Sequence, residues 1–585
     1  MVRTLTWVFA GVVAYTLLAM ALRARGVIPE YIRFSGPITT IHTQKGKAVL
    51  DWLARPTRFW RAWGNLGVGM ALVVMVGSFA MVVFGAYQAI VNPQPSALNE
   101  PRNALAIPGV NDFLPLSVAP EIVFGLLLGL VVHEGGHGLF CRVENIDIES
   151  MGLALFTIVP IGAFVQPDEE ELIHSDRGAQ TRMFAAGVTN NFALALVALL
   201  LLFGPISGAI AVVDGVPVGG TLEETPAAQA GIESGDVITA VEGQPVANGD
   251  ELDAVLAETE ASSVAVSLEG AESVTVDRAV VVDSAVQSAP VTTGETITAV
   301  NGTNVSTSVA FERAVRNTTV ATLSTAEGRS VTMPIGAYVL VQPDGPLDNA
   351  SAPGREAVIV TSIDGQRTHD ASTLGAALDE ASPGQEVEVV GYVDGQPQTY
   401  QVTLGGSDSP RLGVTPLAGI SGVTTNDFGI DEYPAATFLE FLGGSPENPD
   451  AAREFSFTQR IFGAIILPFI GVAGGFGYNF AGFTGIATNF YTVEGPLSAL
   501  GTTPVFLLAN ALFWTGWINV VIGQFNCVPT FPLDGGHILR TSTESFVSRL
   551  PVPDRRQLTT AVTITITVSM IGGLLLMIFG PRLFA

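Results

Sequence analysis

The sequence predicts a polytopic α-helical membrane protein, about six spans plus re-entrant elements, carrying an extracytoplasmic α+β insert. Three observations carry this expectation. The 585 residues are 48% hydrophobic with mean hydropathy +0.44, too apolar for a soluble chain of this length. Only 14% of residues are charged, yet the net charge is −27. The two properties are segregated: residues 214–455 hold 36 acidic and 8 basic residues, which leaves the flanking segments close to neutral.

Apolar runs of spanning length fall at Leu5–Leu22, Leu66–Val91, Val118–Cys141, Met183–Phe203, Val505–Val528 and Thr559–Phe579. The first lacks a small-residue cleavage site and reads as a retained helix rather than a secretion signal. The loop Arg23–Gly64 holds eight Lys and Arg residues, whereas only Arg3 precedes the first run. The positive-inside rule makes that loop cytoplasmic. Alternation then puts the end of Val118–Cys141 in the cytoplasm and the acidic insert outside. Arg540, Arg549, Arg555 and Arg556 follow the fifth run and place its end in the cytoplasm independently. Met151–Gln166, short and rich in Gly and β-branched residues, reads as a hairpin re-entering the membrane, tolerable only where protein covers its backbone. Ile461–Val472 grades into Gly474-Gly475-Phe476-Gly477-Tyr478 and reads as re-entrant or as half of an extra helix pair.

His133-Glu134-Gly135-Gly136-His137 closes the third run. Histidines four apart share one helix face, so both imidazoles reach one metal ion, and Glu134 beside them is placed as a general base. Two histidines and a glutamate are costly in an apolar segment unless they do chemistry. Asp534, in Asn526-Cys527-Val528-Pro529-Thr530-Phe531-Pro532-Leu533-Asp534-Gly535-Gly536-His537, stands at the matching end of the fifth run. Prolines and glycines break the helix there, freeing the carboxylate to complete an open His-His-Asp set; capping of the next helix is the alternative. Cys141 and Cys527 cannot build a disulfide framework and read as small packing residues, with metal ligation the alternative.

H-E-x-x-H in one helix with N-x-x-P-x-x-P-L-D-G-G after another resembles the site-2 proteases, intramembrane zinc metalloproteases. Ala186-Gly187-Val188-Thr189-Asn190-Asn191 is similar to that family's A-G-P-x-x-N segment, with Val188 where the family has proline. The resemblance implies one zinc per chain held by His133, His137 and Asp534, with Glu134 as catalytic base. It also implies Asn191 and Asn526 as substrate-positioning groups; interhelical hydrogen bonding is their alternative role. His537 reads as a neighbour of the zinc ligands or a plain helix-start residue, and His174 and His369 carry no assignment.

Within the insert, Gly219–Val246 resembles a PDZ domain, with Asp250–Glu258 and Ser262–Leu268 continuing the pattern. Echoes at Gly294–Gly302 and Ala357–Leu404 give two PDZ-like units with parts of a third. Such modules receive extended chain ends at a sheet edge; a folded spacer is the alternative. The insert has no lysine, and its acidity argues against nucleic-acid partners and fits a surface hydrated at high salt, with an acidic docking surface for a basic partner the alternative.

The expected division is residues 1–117, an N-terminal transmembrane hairpin; 118–213, one catalytic half; 214–455, the insert; 456–545, the other catalytic half; and 546–585, a C-terminal helix. The expected activity is intramembrane hydrolysis of single-span membrane proteins, pre-shortened by another enzyme, at the cell membrane with the active site toward the cytoplasm. A catalytically silent adaptor binding chain ends through its PDZ-like insert is the rival, opposed by the intact His133, Glu134, His137 and Asp534. A transporter would need internal repeats of the membrane half, and none is present.

Overall fold

The computed structural model describes residues 2–584 apart from 94–98, 104–106, 112, 353–356, 408, 445–454 and 474–476. The chain forms two compact units: Met1–Ala211, Ala436–Gly485 and Thr492–Ala585 make the first, and Val212–Ala435 with Ile486–Tyr491 the second.

The first unit is mainly helical. Its long elements are α1 (Val2–Ala24), α2 (Gln44–Leu53), α3 (Thr57–Val91), α4 (Ala119–Val143), α5 (Arg177–Leu201), α6 (Thr502–Asn526), α7 (Asp534–Val547) and α8 (Arg555–Phe584). Five helices among the described residues are long and apolar enough to cross a membrane, namely α3 to α6 and α8, with Phe9–Ala24 of α1 a shorter apolar stretch. The helices α3 and α8 start before the apolar runs at Leu66 and Thr559, because the Arg- and Trp-bearing residues at their ends continue the helix. Ile461–Val472 forms the helix Phe457–Ile466, a 3₁₀ turn Leu467–Phe469 and the short helix Ile470–Ala473. Gly474, Gly475 and Phe476, the start of its glycine-rich continuation, lie outside the described residues.

Small residues let the helices approach. A Cβ on Gly129 of α4 would meet the Asn519 side chain of α6 at 2.4 Å, and one on Gly523 of α6 would meet the Phe192 ring of α5 at 2.9 Å. Lipid-like surroundings give no hydrophobic drive between helices, so close backbone approach and hydrogen bonds hold them. Buried Asn519 illustrates the second, donating to Thr515 O at 2.8 Å and, across to α4, to Gly125 O at 3.3 Å.

The stretch Arg23–Gly64, expected as a loop, is structured. It supplies β1 (Ile32–Ser35), β2 (Ile38–His42) and α2, and β2 pairs with the hairpin made by β3 (Ile148–Phe156) and β4 (Val159–Pro167). The result is a four-stranded antiparallel sheet in the order β1-β2-β3-β4. Gly152 makes the β2–β3 pairing possible, since a Cβ there would lie 1.9 Å from Ile41 O. Lys47 of α2 ties the sheet down, its ammonium 2.6 Å from Ile148 O and 3.0 Å from Glu149 O. The pairing joins residues more than a hundred positions apart, which no local pattern announces.

The second unit holds three consecutive strand–helix repeats, each a six-stranded antiparallel sheet around its own apolar core. The long helices are Gly249–Glu258, Ser308–Val315 and Ala371–Asp379, capped by Asn248, Thr307 and Asp370 side chains. Each repeat has a hairpin of the same chemistry at the matching place: Glu242-Gly243, Asn301-Gly302 and Asp364-Gly365 all have positive φ at both positions. That is the turn whose twist matches paired strands. The first residue also holds the next strand, with Glu242, Asn301 and Asp364 carboxylate or amide oxygens accepting from the N–H of Ala265, Thr322 and Glu388 at 2.6, 2.8 and 2.7 Å.

The repeats are closed from one end of the segment. After the third, the chain returns and lends one strand to each in reverse order: Val414–Pro416 to the third, Val423–Asn426 to the second and Ile430–Glu432 to the first. Two arginines bind the repeats together. Buried Arg278 ion-pairs with buried Asp427 and donates to the carbonyls of Leu256, Thr259 and Ala261. Arg367 does likewise, donating to Thr361 O, Thr368 O, Thr318 O and Ile335 O. The sequence motifs expose two of these repeats more clearly than the middle one, which lacks the Pro-initiated helical turn found at Pro226–Gln229 and Pro346–Asn349.

Candidate active site

The helix α4 carries His133 and His137 one turn apart, facing α5 and the start of α7. Asp534 is the first residue of α7. The chain can turn this tightly because the next residues have no side chains: a Cβ on Gly535 would sit 2.3 Å from Val528 O, and one on Gly536 2.8 Å from Thr530 O. The L-D-G-G sequence thus folds Cys527–Leu533 back over the helix start and points the carboxylate at α4.

The three groups converge. Nε2 of His133 and Nε2 of His137 are 3.2 Å apart, and they lie 3.1 Å and 3.3 Å from Asp534 Oδ2. Among the described residues this is the one cluster of at least three His, Cys, Asp or Glu side chains with ligand atoms all within 4.8 Å of one another. His133 is buried, His137 and Asp534 nearly so.

The tautomer of His137 is set by its other nitrogen, which stands 2.8 Å from Met183 O. A carbonyl only accepts, so Nδ1 carries a proton, and in the neutral ring Nε2 presents a lone pair. A lone pair from His137 therefore faces a carboxylate oxygen and a second imidazole nitrogen. In the neutral form such an arrangement is repulsive, and a metal ion or a proton among the three relieves it. Tetrahedral ligands about 2.0–2.1 Å from a zinc ion stand roughly 3.3–3.4 Å from each other, close to the 3.1–3.3 Å seen here. The donor set and its spacing fit zinc.

Glu134, on the same helix, points toward the sheet, and its Oε2 accepts from the backbone N–H of Val165 in β4 at 3.0 Å. The strand β4 is an outer strand of its sheet. Gly187 of α5 closes the other side: a Cβ there would stand 2.7 Å from both His133 and His137 rings. This explains the Ala-Gly pair of the third motif as a packing requirement of the histidines.

The asparagines behave differently from each other. Asn191 is fully buried, and neither atom of its amide has a hydrogen-bond partner among the described residues. Asn526 donates to Ile522 O of its own helix at 3.1 Å. Asn190, given no role by the sequence, accepts from Trp63 Nε1 at 3.1 Å. His537 stacks on Phe184 at 4.4 Å and meets Phe531 edge-on. Sequence reasoning missed Gly187 and Val165 as neighbours of the site; the A-G pair carried a signal for the first, and nothing local marked the second.

Two helical histidines, an adjacent glutamate and a distant aspartate are gathered among membrane-length helices. The chain belongs to peptidase family M50, the site-2 protease family and a zinc-dependent one, whose model matches residues 121–570. It is also similar to "Uncharacterized protein MJ0971" of Methanocaldococcus jannaschii, 24% identical over 172 residues. That match covers 29% of this chain and 44% of the other protein, less than half of either.

Proposed function

We propose that this protein is a zinc metalloendopeptidase that cleaves single-span membrane proteins within the bilayer after another enzyme has shortened them. The single observation behind this reading is the convergence of His133 Nε2, His137 Nε2 and Asp534 Oδ2, at 3.1–3.3 Å, beside Glu134. One zinc per chain would be held by these three side chains and would supply Lewis acidity toward a water and a peptide carbonyl. Glu134 accepts the proton of the attacking water and returns it to the leaving amine. Asn191, buried without a partner, offers its amide to the substrate backbone; Asn526 would have to leave Ile522 O to do the same.

A helical substrate must unwind before its peptide bond is reached. The outer strand β4 ends beside Glu134, and an unwound segment can add to it as a fifth strand. The arginines of residues 23–64 and 540–556 argue for a cell-membrane protein with about six spans and an active site toward the cytoplasm. The three insert repeats are then extracytoplasmic and PDZ-like, and they exclude substrates with bulky ectodomains.

Metal analysis combined with cleavage of a single-span reporter tests this reading. One zinc per native chain is expected, with cleavage abolished by Glu134→Gln and by Asp534→Asn, and with zinc retained in Glu134→Gln. A native chain that binds no metal would overturn it.

A further inference from the structure

Four arginines converge where α7 meets α8. Arg177, Arg540, Arg555 and Arg556 line a cavity of about 500 Å³ together with Glu544, Phe531 and Ile564. Four guanidiniums against one carboxylate make a local positive excess in a chain whose net charge is −27. Glu544 is shared rather than sufficient: its carboxylate lies 3.2 Å from Arg540 and 3.8 Å from Arg177. Among the described residues the Arg555 guanidinium reaches only Leu550 O, at 3.5 Å. Arg556 has no ion-pair partner among the described residues.

The cavity's position narrows its ligand. It opens at the first residues of α8, a membrane-length helix, so the arginines stand at the level where lipid headgroups lie. Below them the helix turns apolar side chains outward, with Ile564, Val568, Ile571 and Leu575 each about half exposed or more. Ile564 belongs to both the cavity and that apolar strip, about 14 Å along the helix from Arg555. A ligand here meets guanidinium groups at one end and acyl-like surroundings at the other. The planar fork of arginine suits a phosphate oxygen pair.

We infer that this cavity binds the phosphodiester headgroup of an anionic phospholipid, with an acyl chain along Ile564 and Val568. Phe531 lies in the turn that leads to Asp534, so an occupied cavity also abuts the segment that carries a candidate metal ligand. The inference stands on the arginine cluster and holds whether or not the protein cleaves membrane proteins.

Native mass spectrometry of the full-length protein in neutral detergent tests it, with phosphatidylglycerol, phosphatidylcholine of equal chain length and inorganic phosphate as separate probes. Retention of phosphatidylglycerol over phosphatidylcholine by at least tenfold is expected. Arg555→Gln with Arg556→Gln should weaken that retention about tenfold or more. Glu544→Gln should strengthen it, a gain that a misfolded protein cannot show. Equal retention of both lipids, or a preference untouched by the double variant, overturns the inference. Displacement of the lipid by an equal concentration of inorganic phosphate would make this a free-phosphate site and also overturn it.

Discussion

The backbone N–H of Val165 donates to Oε2 of Glu134 at 3.0 Å, linking the outer strand of a sheet to the one glutamate beside the two histidines. Side chains and amides alternate along a strand, so Ala163 presents its N–H to the same side. Proline at Val165 removes the donor while leaving His133, His137 and Asp534 untouched. A hydrogen bond to a charged group is worth about 1.5–3 kcal/mol, so cleavage should fall roughly tenfold to a hundredfold with zinc content unchanged. Full activity in Val165→Pro would separate β4 from the chemistry.

The two glycines within H-E-G-G-H differ in surroundings. A Cβ on Gly135 meets nothing within 4 Å, whereas one on Gly136 would press on Asn190 Nδ2 at 2.7 Å and Ala186 O at 2.9 Å. Gly135→Ala should be tolerated and should stabilise α4 by roughly 0.5–1 kcal/mol. Gly136→Ala and Gly187→Ala should push α5 from α4 and cost about tenfold or more in zinc affinity, as losses near metal ligands do. Zinc titration against a competing chelator ranks the three; equal affinities would contradict the packing described.

The membrane half was largely legible because its signals are local. Helix spacing fixes His133 and His137 on one face, and prolines and glycines announce the turn that frees Asp534. What stayed hidden is non-local. Strands β1 and β2 are short, and only pairing with β3, far along the chain, makes them a sheet. The return strands Val414–Pro416, Val423–Asn426 and Ile430–Glu432 are three or four residues each, and each completes a repeat begun long before. Asn526 shows the converse limit: a motif fixes a residue's identity but not where its side chain turns.

Acidic groups crowd the second unit. Burial, then the charges of Asp253, Asp283, Asp250 and Asp431, push the Glu432 carboxyl from 4.5 up to about 7. The residue keeps solvent-exposed surface, yet its carboxyl group packs against Gly249 at the start of a helix. Asp253, Asp283 and Glu312 are raised too, burial first and neighbouring carboxylates second. A carboxyl raised in the folded state holds its proton more tightly there than when unfolded. Its contribution is therefore present below about 4.5 and lost as pH climbs toward 7. At low salt, hydrogen exchange in Val216–Thr221 should quicken across that window, and molar salt should suppress the effect by screening. Glu432→Gln should flatten the profile; an unchanged profile would exonerate this carboxyl.

Arg278 and Asp427 form a buried ion pair in the second unit, each 5% exposed. Removing one partner strands a charge away from water, and losses of about 3–5 kcal/mol follow such breaks. Arg278→Met should therefore loosen the first repeat more than any surface substitution, because its guanidinium also holds the carbonyls that end the helix Gly249–Glu258. Replacing both partners, Arg278→Met with Asp427→Leu, removes the stranded charge and should recover part of the loss. It cannot recover all of it, since Asp427 also accepts from the N–H of Ser308 at 2.6 Å. Hydrogen exchange of Ser263–Leu268 in the native, single and double variants measures the difference. A double variant as labile as the single one would show that the hydrogen bonds of Arg278 and Asp427 to the backbone, rather than their charge pairing, hold the repeats together.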